Sequence, residues 1–86
     1  MRYSRSMRTK NAPAVAIAAT RRMLRNGEAA AVFTRNHLSH AEVGAAVGKS
    51  GTEVGRYLKG QARPRSETAL ALADLLGELG TLEAQQ

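Results

Sequence analysis

Two helix-start signals lie eleven residues apart near the middle of the chain, and this spacing constrains the fold more than any other feature. Ser39 is followed three positions later by Glu42, and Ser50 by Glu53. In such a capping box the serine hydroxyl accepts a hydrogen bond from the glutamate N–H, and the glutamate carboxylate accepts one from the serine N–H. Gly48 lies between the two signals and suits the left-handed conformation that ends a helix. The sequence therefore predicts two short helices joined by a tight turn.

The remaining pattern predicts more helices and no sheet. β-Branched residues, which strands favour, are sparse. Asn11 is positioned to cap a first helix that ends at Gly27, and Ser66 to cap a last helix that ends at Gly77. The predicted fold is all-α, a small bundle of about five short helices preceded by a flexible basic arm. The predicted boundaries are 1–11 for the arm, 12–25, 28–36, 40–47, 51–59 and 67–76 for the helices of one domain over 12–77, and 78–86 for a C-terminal tail.

Charge is the compositional property that bears most on function. Among 86 residues, 13 Lys and Arg against 7 Asp and Glu give a formal net charge of +6 and a pI near 10.8. Eight of these cations fall in residues 1–35 and five in 49–65, whereas residues 66–86 carry four acids and no Lys or Arg. A basic charge of this size on so short a chain favours a polyanionic partner, of which nucleic acid is the commonest.

Several classes of function are disfavoured. The chain has no cysteine, so it has no disulfide, thiolate metal site or cysteine nucleophile. No apolar run approaches the roughly 18 residues that span a bilayer. The two histidines, His37 and His40, have no acid spaced to orient either ring, and no zinc, phosphate-loop or dinucleotide motif occurs. We therefore expect no catalytic residues, no enzymatic activity, no cofactor, no metal and no membrane association.

The predicted helix over 51–59 has two unlike faces. At about 100° per residue, one face collects the apolar residues Val54, Tyr57 and Leu58. The opposite face collects Thr52, Arg56 and Lys59, with Gly51 and Gly55 along its flank. We interpret the two glycines as absent side chains that let the helix approach a large ligand closely. The major groove of B-DNA, about 12 Å wide, admits one helix and is such a ligand.

The stretch "LSHAEVGAAVGKSGTEVGRYLKGQARPRSETALALADLLG" resembles the helix-turn-helix domain of the phage lambda repressor, Cro and related XRE-type regulators. The resemblance covers about residues 28–77. Its markers are a polar residue opening the first helix, a small residue where two helices cross, a glycine at the turn and two apolar anchors: His40, Gly44, Gly48, Val54 and Tyr57. It implies a lambda-repressor-like domain in which 51–59 is the recognition helix. It says nothing about the extra N-terminal helix predicted at 12–25 or the basic arm before it, which lie upstream of the usual domain. His40 stands where the family usually has glutamine, so a contact there is expected to depend on pH or to be lost.

By this resemblance, four residues of the recognition helix face base edges: Gly51, Thr52, Gly55 and Arg56. Arg56 is the leading candidate for specificity, because a guanidinium bonds bidentately to guanine O6 and N7. A phosphate contact is the alternative role for Arg56, and a local hydrogen bond at the helix start is the alternative for Thr52.

The remaining candidates are contacts to the DNA backbone. The resemblance implies phosphate contacts from three residues near helix ends: His40, Ser50 and Lys59. Non-specific neutralisation of phosphates is expected from four cations: Lys49, Lys59, Arg63 and Arg65. A cluster in the first helix either extends this footprint or forms a solvated face: Arg21, Arg22 and Arg25. The N-terminal arm either enters a minor groove or acts as a solubilising tail, and its cations are Arg2, Arg5, Arg8 and Lys10.

The resemblance implies a sequence-specific repressor in the bacterial cytoplasm that binds double-stranded DNA and occupies a promoter or operator, as phage immunity or Cro-like repressors do. An antitoxin of the same fold is the nearest alternative, with the acidic, leucine-bearing end over 67–83 as its surface for a protein partner. A DNA-bending accessory protein is a second alternative. The apolar surface over 67–82 offers a homodimer interface, and the N-terminal helix is an alternative cover for it, so both a monomer and a homodimer remain open.

Overall fold

The computed structural model describes residues 2–85, and it describes side chains from residue 11 onward. This part of the chain contains five helices joined by turns and loops, and no strand. The helices are α1 (Arg2–Asn26), α2 (Glu28–Arg35), α3 (His40–Val47), α4 (Gly51–Leu58) and α5 (Ser66–Ala84). The long helices α1 and α5 pack along each other, α3 packs on α4, and α2 contacts both long helices. The predicted all-α bundle of about five helices is confirmed.

The core lies where the five helices meet. Its largest fully buried side chains are Phe33 of α2, Val43 of α3, Val54 of α4 and Leu72 of α5, and Leu24 brings α1 into the same cluster. Helices α2, α3 and α4 have eight residues each, which is too short for stability in isolation. Burial of each large apolar side chain stabilises the fold by about 1.5–3 kcal/mol, so this shared cluster holds the three short helices in place.

Helix α3 begins and ends as its capping signals predict. The Ser39 hydroxyl accepts a hydrogen bond from the Glu42 N–H at 3.1 Å, and the Ser39 N–H donates to the Glu42 carboxylate at 2.8 Å. The hydrogen bond from the Ser39 backbone is the main reason that the pKa of Glu42 is lowered. Gly48 follows the last turn with a φ of 76°, a left-handed conformation that a side chain disfavours. The chain can therefore reverse at once into α4.

Helix α1 begins at Arg2, ten residues earlier than predicted. Asn11 is an interior residue of α1 rather than its cap, and the backbone of the segment predicted as a flexible arm is helical from residue 2. Arg, Met and Lys are good helix formers, and they are frequent in this segment. Pro13 lies inside the helix and removes one backbone donor without ending it. Positive charge without apolar periodicity suggested an arm, but it does not by itself stop a helix.

Helix α5 runs from Ser66 to Ala84, past its predicted end at Gly77. The N-cap residue is Arg65, which makes no side-chain cap bond, so the prediction that Ser66 caps this helix is wrong. Gly77 does not have a positive φ, so it does not form the left-handed turn that ends a helix. Leu79 packs against the core beyond Gly77, and this contact favours continuation of the helix.

Alanine at either interior glycine of α5 will stabilise the protein. A Cβ built at Gly77 or at Gly80 meets no atom within 4 Å, so it costs no packing. Glycine inside a helix is less favourable than alanine by about 0.5–1 kcal/mol, so each substitution should raise the free energy of unfolding by that amount. Denaturant unfolding of Gly77→Ala and Gly80→Ala measures the gain. A loss of stability in either variant would contradict a continuous helix at that position.

The end of α5 is tied to α2 by a hydrogen-bonded ion pair. The Arg35 guanidinium donates to the Glu83 carboxylate from Nε at 3.1 Å and from Nη2 at 3.2 Å, and the Asn36 side-chain amide donates at 2.9 Å. This is the one ion pair among the side chains of residues 11–85. The hydrogen bond from Arg35, followed by that from Asn36, lowers the pKa of Glu83.

Acidification will release the last turn of α5. Because the folded-state pKa of Glu83 lies below its ordinary value of 4.5, the pair stabilises the fold above that value and is lost as pH falls through the lowered pKa. We expect the amide protection factors of residues 81–84 to fall below about pH 4, while that of the buried Phe33 persists. The Glu83→Gln variant should have low protection there already at neutral pH. Equal acid sensitivity in this variant would exclude Glu83 as the cause.

Candidate nucleic-acid interface

Helices α3 and α4 form a tight helix–turn–helix in which Gly44 has the closest packing. The Lys49 N–H donates to the Gly44 carbonyl at 2.8 Å, so the turn folds directly over α3. A Cβ built at Gly44 would overlap the Lys49 carbonyl oxygen and lie 3.1 Å from the carbonyl carbons of Lys49 and Ser50. These atoms belong to the backbone and cannot swing aside. The position predicted to need a small residue where the helices cross therefore accepts only glycine.

Two buried side chains hold α4 from its inner face. Val54 is 1% exposed and Tyr57 is 5% exposed, and both belong to the core cluster, as predicted for the apolar anchors. The Tyr57 hydroxyl donates to the Glu53 carboxylate at 3.3 Å. Burial, and then the charge of Glu53, raise the pKa of the Tyr57 hydroxyl, so it remains a donor at neutral pH. The burial of Val54 and Tyr57 in the core thus fixes the rotation of α4 about its axis.

The second predicted capping box is only half formed. The Ser50 hydroxyl accepts from the Glu53 N–H at 3.1 Å, as in α3. The Glu53 carboxylate, however, accepts from Tyr57 instead of from the Ser50 N–H. Residues four apart lie on the same helix face, so the tyrosine one turn on is within reach and competes for the carboxylate. The prediction of a reciprocal box at Ser50 is wrong in this half.

The outer face of α4 carries exposed polar side chains at the positions that the helical wheel predicts. Thr52 and Arg56 are exposed on this face, and Lys59 is exposed at its C-terminal end. Among the described side chains, the single ion pair is on α2 and α5, so no carboxylate neutralises Arg56 or Lys59. The Arg56 carbonyl also accepts from the N–H groups of Gln61 and Ala62, at 2.9 and 3.3 Å, which fixes the loop after α4. This face is free to bind an anion.

The two glycines of α4 do not clear space for a ligand, and this interpretation is wrong. A Cβ built at Gly51 would lie 3.0 Å from the backbone nitrogen of Ala41, and Gly55 is buried beneath His40. At Gly55 an added Cβ would lie 3.2 Å from the imidazole Nδ1. Both glycines therefore let α4 pack closely on the start of α3. A helical wheel gives the angular position of these residues but not the neighbouring helix that occupies their side.

The N-termini of α3 and α4 lie side by side as a result of this packing. Gly51 is the first residue of α4, and it abuts Ala41 and His40 in the first turn of α3. The start of a helix carries a partial positive charge and free N–H groups. His40 is exposed and its ring lies against α4. Two positive helix ends therefore reinforce the cationic face of α4.

The other predicted backbone contacts differ in their accessibility. Arg22, Arg25, Arg63 and Arg65 are exposed, Lys49 is half-buried, and the exposed Ser50 already uses its hydroxyl as a cap. The side chains of the arm residues Arg2, Arg5, Arg8 and Lys10 lie outside the described side chains.

Arg21 has a role that the sequence did not indicate. Its Nη2 donates to the Pro64 carbonyl at 3.0 Å, and the side chain is half-buried. Arg21 therefore ties α1 to the loop after α4 instead of forming a solvated face. Its position next to Arg22 in a basic cluster gave no signal of this contact, because the partner is a backbone carbonyl 43 residues away.

The part of the chain that the structure describes contains neither a membrane-spanning helix nor a cluster of metal ligands. None of the helices combines the length and apolar character required to cross a membrane. No group of three or more His, Cys, Asp or Glu side chains is arranged to hold a metal ion.

Comparison with known proteins identifies the family. A family model described as a helix-turn-helix domain matches residues 14–86. The match begins within α1, upstream of the 28–77 stretch on which the resemblance rests. Comparison with curated proteins and with solved structures gave no significant match. The family match spans far more than half of the chain and includes the α3–turn–α4 unit built around Gly44. The chain therefore belongs to the helix-turn-helix domain family, whose architecture is that of DNA-binding regulators.

Proposed function

We propose that the protein is a sequence-specific repressor that binds double-stranded DNA and blocks transcription by occupying an operator. The observation that carries this proposal is the outer face of α4, where Thr52, Arg56 and Lys59 are exposed on a helix anchored by buried Val54 and Tyr57. A rigid helix with an unpaired cationic face fits the major groove. Because occupancy alone excludes the polymerase, a phage immunity or Cro-like mode of action is the simplest.

The contacts divide into base-reading and backbone roles. Arg56 and Thr52 read base edges, since they are exposed near the middle and the start of α4. Gly51 and Gly55 contribute by packing α4 on α3 rather than by contact with bases. Exposed cations at the ends of α4 and in the following loop contact phosphates: Lys59, Arg63 and Arg65. For each phosphate that they neutralise, the fall of log K with the logarithm of the salt concentration becomes steeper by roughly 0.9.

Further backbone contacts surround this central set. His40 and Ser50 lie at the two adjoining helix N-termini, where N–H groups favour a phosphate. Lys49 in the turn adds positive charge there. Arg22 and Arg25 extend the footprint along α1, whereas Arg21 supports the loop from within.

Selection of bound sites from random duplex DNA tests the proposal. We expect an enriched motif, with affinity for the selected duplex about 10³-fold or more above that for random duplex at the same salt concentration. Two-fold symmetry in the motif would indicate a homodimer, for which the partly exposed leucines of 67–82 are the available surface. A ratio near one would contradict sequence-specific repression and favour the DNA-bending role.

An antitoxin function is the second candidate, and the chemistry of α5 supports it. Leu82 is 50% exposed, and this helix carries acids but no Lys or Arg. Such a surface suits a small basic protein partner. Recovery of a stoichiometric basic partner with the tagged chain from its source cells would favour the antitoxin, and recovery of the chain alone would favour the free repressor.

A further inference from the structure

A recess of about 320 Å³ opens between α1 and the loop that follows α4. Arg21, Leu24 and Arg25 line it from α1, Tyr57 lines it from α4, and residues 60–64 form its opposite wall. Its volume is at the lower end of the range of small-molecule pockets. The proposed base contacts of Thr52 and Arg56 do not use it, although two of its lining residues, Arg25 and Arg63, are also proposed phosphate contacts.

The lining combines an apolar floor with cations. Leu24 is 4% exposed and Tyr57 is 5% exposed, and Pro64 is also buried. Three arginines, Arg21, Arg25 and Arg63, belong to the lining, which contains no acid. The one ion pair among the described side chains is elsewhere, so no carboxylate of this part of the chain neutralises these arginines. The recess therefore matches a ligand that has an anionic group and an apolar body.

One donor in this lining lacks an acceptor. Nε of Arg21 is buried without a hydrogen-bond partner, and it is the single such side-chain nitrogen or oxygen among those described. The Nη2 of the same guanidinium is already bonded to the Pro64 carbonyl. A buried unpaired N–H is unfavourable, and a charged donor bonds most strongly to an oxyanion. This Nε has almost no accessible surface of its own, so the guanidinium must turn toward the recess before an oxyanion there can bond to it.

We propose that this recess binds a small carboxylate with a compact apolar body, such as an aromatic or branched aliphatic acid. The carboxylate pairs with the arginines of the lining, and the apolar body covers Leu24 and the Tyr57 ring. A phosphodiester of DNA supplies an oxyanion but no apolar group, so it leaves this floor uncovered. The site goes beyond DNA binding and does not depend on the proposed function.

Benzoate is a suitable probe, with the full chain labelled with ¹⁵N. We expect benzoate to shift the side-chain Nε–H resonance of Arg21 saturably, with a Kd on the order of 1 mM or tighter. Benzyl alcohol, which keeps the ring and lacks the charge, and sodium chloride at equal ionic strength should not shift it. The absence of a saturable benzoate shift, or an equal shift with either control, would overturn the proposal.

Matched arginine variants on α1 separate the recess from general charge. Arg25→Gln removes a lining cation and should weaken benzoate binding about tenfold or more, whereas Arg22→Gln removes an exposed cation outside the lining and should leave it unchanged. Equal weakening by both variants would show that benzoate binding depends only on net charge, and this would overturn the proposal.

A duplex titration distinguishes the two sources of an oxyanion. If duplex DNA shifts the Arg21 Nε–H resonance and benzoate does not, the recess is a phosphate contact and the carboxylate proposal fails. Affinity for the duplex, measured separately, is unaffected by failure of the benzoate experiment, so the two proposals fail independently.

Discussion

Replacing Gly44 with alanine will destabilise the domain by about 3 kcal/mol or more, the upper end of the cost of overpacking. The new Cβ would overlap the Lys49 carbonyl oxygen, and the nearest atoms are backbone atoms of the turn itself. Relief requires α3 and α4 to separate, which also moves Val43 and Val54 out of the core. A small domain has on the order of 5 kcal/mol of stability, so a large share of it is lost. Denaturant unfolding measures the change.

The matched control for this substitution is Gly77→Ala, which adds the same methyl group at a helical glycine with open space around it. Helix propensity favours alanine at both positions, so propensity alone predicts two stabilised variants. We expect opposite signs, with Gly44→Ala less stable than the wild type and Gly77→Ala more stable. A Gly44→Ala variant of unchanged stability would show that the turn does not lie on α3 as described.

Replacing Arg56 with alanine will weaken binding to the selected duplex by about 1–3 kcal/mol and relax the preference at one base pair. Arg56 is exposed on the outer face of α4, and truncation leaves the buried anchors Val54 and Tyr57 in place, so the fold should be retained. The loss should be small on random duplex, because a base-edge contact contributes only where its base is present. Fluorescence anisotropy on both duplexes at one salt concentration measures the difference.

Lys59→Ala is the control for Arg56→Ala, since it removes a neighbouring exposed cation that we assign to phosphate. It should weaken binding to both duplexes alike and reduce the salt slope by about one. Equal weakening by Arg56→Ala on selected and random duplex would assign Arg56 to phosphate as well and contradict its role in specificity.

The short helices could be predicted from sequence because their signals are local. Ser39, Glu42 and Gly48 lie within ten residues of one another, and the hydrogen bonds and turn that they predict need no distant partner. The anchors Val54 and Tyr57 follow from helical periodicity in the same way. These features gave the bounds of α3 to the residue and those of α4 to within one residue.

The ends of the long helices could not be predicted, since distant contacts and the absence of a stop signal decide them. Gly77 looks like a helix end in sequence, yet α5 continues because Leu79 reaches the core and Glu83 bonds Arg35, which is 48 residues away. At the N-terminal end of the chain, α1 begins at Arg2 and continues past Pro13 without a break. Local propensity is a weak guide where packing or a long-range ion pair supports the next turn.

For the candidate interface, the sequence predicted which side chains of α4 are exposed, but not what its glycines contact. Periodicity separates an inner from an outer face of α4, and Thr52 and Arg56 are exposed as expected. Gly51 and Gly55 lie at the edge between these faces, where only the position of α3 decides what they contact. The same limit applies to Arg21, whose carbonyl partner on Pro64 has no sequence signature.

The most direct test of the account is a ¹⁵N NMR titration of the full chain with a selected duplex. If α4 enters the major groove, the largest shifts will fall on the amides of Thr52, Arg56 and Lys59 and on the Arg56 Nε–H. The amides of the acidic residues Asp74 and Glu78 on α5 will change little. Large shifts confined to α5, with α4 unchanged, would contradict the claim that the outer face of α4 binds DNA.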